Sequence, residues 1–151
     1  MKTLANNLDK TEILTRLDKL SINAPRQWGK MNINQMLCHL SDSFDAIMGN
    51  KKFTPADNIF TRTFVKWLAL KVPIAWPKGI QTRPELDQEK GGTKPHEFNQ
   101  DRDRLKELTE KFSNTKDTSN WQHPIFGKMS SEEWQRWGYL HMDHHFRQFN
   151  S

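Results

Sequence analysis

The chain has 151 residues, 34% of them hydrophobic and including six Trp and nine Phe, which suffices for one domain with its own core and no covalent staples. The single cysteine, Cys38, excludes an intramolecular disulfide and a cysteine-rich zinc module; with no secretory h-region in residues 1–7, a cytoplasmic setting is expected. The net charge of +5 comes from bases interspersed with acids, as in residues 101–107, and not from a concentrated phosphate-binding footprint, so nucleic acid is not an expected partner.

Helical periodicity runs through almost the whole chain and strand alternation is absent. Leu4, Leu8, Thr11, Ile13 or Leu14, Leu17 and Leu20 follow the three-and-four spacing of an amphipathic helix, which residues 21–25 end. Asn32 with Gln35 three positions later has the pattern of a capping box, and Ile33, Met36, Leu37, Leu40, Phe44, Ile47 and Met48 then share one stripe, predicting a second helix over about 33–48. Residues 50–96 form a long connection punctuated by Pro55, Pro73, Pro77, Pro84 and Pro95, too long to be structureless, and a helix is predicted inside it over 59–70. Its most apolar part, residues 64–76, contains two lysines and Pro73 and falls short of the ~20 residues that cross a bilayer, so no membrane span is expected. Its Trp and Phe are expected to cap the bundle or a dimer interface, with an interfacial amphipathic helix as the alternative. A third regular helix is predicted over about 97–113, on Phe98, Leu105, Leu108 and Phe112. The last begins at Ser130, with Glu133 completing a second capping box, and runs to the chain end. The expectation is an all-α four-helix bundle in a single domain, residues 1–151, with a long crossover between helices two and three that carries an extra helix.

The residues that carry chemistry are histidines. His141 and His145 are four apart, so on the last helix their imidazoles stand one turn above each other and can converge on one ion. At ~100° per residue, Trp134, Trp137, Gly138, His141, His145 and Gln148 share a face, while Asp143 points away and His144 lies at the edge. A third ligand has to come from another helix. His39 is the candidate, at the margin of the second helix's stripe with Ser43 and Ala46 beside it. Three neutral imidazoles with an open fourth position make a site of catalytic type for zinc, and nickel or iron also accept it. The zincin pattern is excluded, because Met142 stands where its general-base glutamate belongs.

Gln148 is a candidate for the shell behind the ligands, or for a structural hydrogen bond at the helix end. Asp42 is a second such candidate, or a base, although its angle points it toward solvent. Cys38 points ~100° from His39 and is expected to be a buried, inert thiol. His123, Pro124, Phe126 and Gly127 are expected to form a packed turn before the last helix, and His96 a solvent-exposed helix start. Arg147 complements the negative end of the last helix.

The segments Trp28-Gly29-Lys30-Met31, Gln35-Met36-Leu37-Cys38-His39-Leu40, His123-Pro124-Ile125-Phe126-Gly127-Lys128-Met129 and Trp134 through His141-x-x-His144-His145-x-Arg147-Gln148 together resemble the DinB/YfiT-like superfamily of metalloenzymes, in a bacterial branch of unknown function. The resemblance implies a four-helix bundle of up-down-down-up topology. It also implies a metal, often zinc or nickel, on His39, His141 and His145, and a homodimer. Characterised members of the superfamily include metal-dependent thiol S-transferases and a mycothiol-dependent isomerase. The function expected is therefore that of a metal-dependent transferase acting with a low-molecular-weight thiol, or a hydrolase, on a small-molecule substrate. The other reading is a non-catalytic bundle with structural or no metal, serving as an interaction module.

Overall fold

Local signals and packing agree on five α-helices in the computed structural model, which describes residues 1–151: α1 (Asn7–Lys19), α2 (Ile33–Ile47), α3 (Lys66–Lys71), α4 (Phe98–Asn114) and α5 (Ser131–Arg147). There is no β-strand, only an isolated antiparallel bridge between His123 and Gly127. Each long helix begins where a side chain satisfies its free first-turn amides. Asn6 caps α1 and Glu97 caps α4, whereas α2 and α5 have complete capping boxes, Asn32 with Gln35 and Ser130 with Glu133.

The helices form a bundle in which α2 packs on α4 and α5, and α1 on α4 and α5. An amphipathic α2 is expected from its stripe, yet from Met36 to Ile47 every residue is buried, because the crossover covers the side that α4 and α5 leave open. Phe44, Phe112, Trp134 and Phe146 are fully buried at the centre with Ile13, Leu17, Met36, Leu37, Leu40 and Leu105. Each such side chain contributes about 1.5–3 kcal/mol by leaving water.

The first helix departs from expectation at its beginning. It starts after Asn6, so Leu4 is not part of it; the Leu4 amide donates to the Gln135 carbonyl at 3.1 Å and its side chain packs on α5. Gly138 makes that possible. A Cβ there would lie 2.7 Å from Leu4 Cδ1 and 3.1 Å from Phe112 Cε1. Leu8, expected on the apolar stripe, is 82% exposed.

The helix expected over 59–70 is present as a π-helical turn, Thr61–Val65, running into α3. Its inward side is Leu70, with Val65 and Ala69 packed partly buried against the core. Of the two places expected for Phe64 and Trp67, a cap on the bundle or a dimer interface, the first does not hold: both face outward and are each about half exposed, as is Phe60. Trp76 does turn inward, its indole N–H donating to the Ala69 carbonyl at 2.9 Å. No helix is long and apolar enough to cross a membrane.

Candidate metal centre

The i, i+4 spacing on α5 and one position on α2 bring three imidazoles together. Ring centroids lie 5.2 Å apart for His39 and His141, 4.8 Å for His39 and His145, and 4.9 Å for His141 and His145. One ligand nitrogen from each lies within 4.8 Å of the others, so the group could hold a metal ion. The Nε2 atoms of His39 and His141 are 3.3 Å apart. Nitrogens bound at ~2.0–2.1 Å to a tetrahedral ion are separated by about 3.3–3.4 Å, so this edge already has the required length.

Two of the rings are fixed from behind. His39 Nδ1–H donates to the Leu86 carbonyl at 3.0 Å, and His145 Nδ1–H donates to Gln148 Oε1 at 3.0 Å. Each bond places the proton on Nδ1 and leaves the Nε2 lone pair aimed into the cluster, the arrangement that outer hydrogen bonds impose on metal-binding histidines. The buried Nδ1 of His141 has no partner. Burial pushes all three imidazoles below their ordinary range, His141 and His145 furthest, and the neighbouring rings add to the effect on those two. They are neutral at pH 7, as ligands must be.

Gln148, the sequence candidate for the shell behind the ligands or for a structural hydrogen bond, lies against His145. Besides holding His145, its Nε2 donates to the Trp28 carbonyl at 2.8 Å. This close approach needs Gly29, where a Cβ would come within 2.5 Å of Gln148 Nε2 and where φ is +80°.

Asp42 sits elsewhere than its helical angle suggested. It is 1% exposed, because the crossover folds over it: Oδ2 accepts from Gln88 Nε2 (3.0 Å) and the Thr93 amide (2.7 Å), and Oδ1 accepts from Thr93 Oγ1 (2.6 Å). It does not bond a histidine. It clasps the segment that supplies the Leu86 carbonyl, the partner of His39 Nδ1. That carbonyl carried no signal in the sequence.

Tryptophans wall the cluster. Trp137 lies 4.8 Å from His141, Trp76 lies 6.1 Å from His141 and from His144, and Trp28 lies 6.0 Å from His144. Trp76 was missed as a site residue because only the fold returns the crossover to α5. His144 stays at the edge and Asp143 points away, pairing with Arg16 at 2.7 Å and Arg147 at 2.9 Å. Cys38 is buried and unpaired; burial, with the Asp101 carboxylate, pushes its thiol up to about 12. His123 sits in the expected packed turn, where its Nδ1 accepts from the Ile125 and Phe126 amides at 3.1 Å each and burial lowers it to about 3. His96 is exposed just before α4.

Residues 4–151 match the model of a family described as "Protein of unknown function (DUF1569)". The chain belongs to the DUF1569 family. No curated protein and no solved structure gives a significant match. In this DUF1569 chain the matched span contains all three clustered histidines, Gln148 and Asp42.

Proposed function

We propose that this protein binds one divalent ion, zinc or nickel, through Nε2 of His39, His141 and His145, and uses it as a metal-dependent transferase acting with a small thiol or as a hydrolase. The observation that carries the reading is the tautomer control: Leu86 and Gln148 hold the Nδ1 protons of His39 and His145, leaving lone pairs directed at a common point. A cation there lowers the pKa of a coordinated water or thiol and polarises an acceptor oxygen, the chemistry that both reaction classes require. Three protein ligands leave one position for a small-molecule substrate.

The chain's own residues supply the rest. Leu86, held by the Asp42 clasp, and Gln148 keep two rings from turning, while Trp28, Trp76 and Trp137 line the approach and keep bulk water from the cluster. Likeness to the DinB/YfiT-like proteins adds a single bundle domain of up-down-down-up topology and a homodimer to the proposal. A reducing, cytoplasmic setting belongs to it as well, supported by the free, buried Cys38.

Elemental analysis of untagged protein tests this reading. Near one zinc or nickel per chain is expected, lost in His39→Ala and His141→Ala while both variants stay helical by circular dichroism. Wild-type protein that neither retains nor takes up a divalent ion overturns it and leaves an interaction module as the function.

A further inference from the structure

Two anomalies of this chain fall in one segment. Nine large hydrophobic side chains stand more than half exposed, and six of them lie between residues 59 and 80: Ile59, Phe60, Phe64, Trp67, Ile74 and Ile80. Residues 58–84 also contain Arg62, Lys66, Lys71, Lys78 and Arg83 and no Asp or Glu. These are five of the 23 basic residues, leaving 18 to balance the 18 acids elsewhere, so this segment accounts for the whole net charge of +5. The interspersed charge of residues 101–107 does not extend here.

The exposed side chains form a ridge. Phe60 and Phe64 stack with centroids 5.4 Å apart, and Trp67 follows Phe64 at 6.2 Å, the i, i+4, i+7 series of one helical face. Arg62 is paired with Asp57, and Lys66 with Glu133 at 3.3 Å. Lys71 and Lys78 make no ion pair and are exposed, and Lys78 Nζ lies 4.3 Å from the Trp28 ring.

We propose that the face of Phe60, Phe64 and Trp67, with Lys71 and Lys78, docks the protein peripherally on an anionic lipid surface. Aromatic side chains on one face of a helix, followed in the chain by two exposed lysines that no acid pairs, match the interface of a bilayer whose headgroups are negative. Charge decides against a second copy of the chain. A two-fold contact sets a patch against itself, and here it would oppose the unpaired Lys71 and Lys78 to their own copies, the adjacent acids Asp57 and Glu133 being already engaged by Arg62 and Lys66. The same segment carries Trp76 to His141, so docking places the histidine cluster close to the membrane surface. The inference rests on this surface alone and stands whether or not the histidines bind metal.

Co-sedimentation of the full chain with vesicles tests it, using phosphatidylcholine alone and phosphatidylcholine mixed with phosphatidylglycerol, at low and high ionic strength. Binding is expected only to the mixed vesicles, with loss at high salt and in Phe64→Ser/Trp67→Ser. The Lys71→Gln/Lys78→Gln variant is expected to bind about twenty-five-fold more weakly, each lysine near a charged leaflet being worth roughly a factor of five. All four positions are exposed, so the variants keep the wild-type circular dichroism. Failure to sediment with mixed vesicles at low salt overturns the proposal, as does equal binding by the double-serine variant. A dimer that Phe64→Ser/Trp67→Ser converts to monomer, with vesicles ignored, overturns it in favour of a protein interface.

Discussion

Replacing Gln148 separates the support of the histidine cluster from the stability of the bundle. Gln148 is 3% exposed and makes two bonds in opposite senses, accepting from His145 Nδ1 at 3.0 Å and donating to the Trp28 carbonyl at 2.8 Å. Gln148→Ala leaves the buried His145 donor and the part-buried Trp28 acceptor without partners, at about 1–3 kcal/mol for the first and less for the second, so a stability loss of about 2–4 kcal/mol is expected in urea titrations. It also frees the His145 ring, and loss of such an outer partner weakens metal binding about 10–100-fold, read by zinc competition against a chromophoric chelator. Gln148→Glu keeps the acceptor for His145 and loses only the donor to Trp28. It is therefore expected to be destabilised yet to bind zinc about as tightly as wild type or more tightly. Gln148→Ala binding zinc with wild-type affinity, or both variants losing it equally, refutes the assignment.

Further outcomes follow from the same geometry. Asp42→Ala leaves the Gln88 and Thr93 donors without their acceptor and is expected to cost about 2–4 kcal/mol in urea while weakening zinc binding through the released Leu86 carbonyl; unchanged affinity would show that the clasp does not reach His39. Burial lowers His123 from 6.5 to about 3, so the unfolded chain takes up a proton that the folded chain refuses. That contribution is complete above pH ~6.5 and is lost as pH falls, amounting to about 2 kcal/mol at pH 5, and the lowered His39, His141 and His145 act in the same direction. Metal-free protein should therefore unfold at lower urea at pH 5 than at pH 7.5, and equal midpoints would contradict a buried neutral His123. Gly138→Ala drives a methyl into Leu4 and Phe112 and is expected to destabilise by about 1–3 kcal/mol; a neutral result would place Leu4 elsewhere. Cys38, with its thiol pushed up to about 12, should react with a thiol reagent only at the rate of unfolding, and rapid labelling of the native chain would contradict its burial.

What the sequence disclosed was local. Asn32 with Gln35 and Ser130 with Glu133 read as helix starts because a capping box is closed within four residues. His141 and His145 read as a pair because helical spacing alone aligns them. His39 stood out as the one histidine on the margin of an apolar stripe, and α2 and α5 do bring it to the pair. The misplaced residues are those whose surroundings arrive from far along the chain. Asp42 looked solvent-facing because its partners, Gln88 and Thr93, lie about fifty positions away on a crossover without periodicity. Leu4 looked helical because its spacing fitted α1, whereas its packing partner is a glycine on α5. The hydrophobicity of Phe64 and Trp67 suits a bundle cap or a dimer interface equally, and only the fold shows that the side of α3 meeting the bundle is that of Leu70 and Ala69.

The central claim, one ion on three imidazole nitrogens, is tested most directly by X-ray absorption at the zinc edge on untagged, zinc-loaded protein. The account predicts three nitrogen scatterers with imidazole signatures at about 2.0–2.1 Å plus one exchangeable oxygen ligand, with the imidazole count falling to two in His39→Ala. A spectrum without three imidazoles, or one that His39→Ala leaves unchanged, would contradict it.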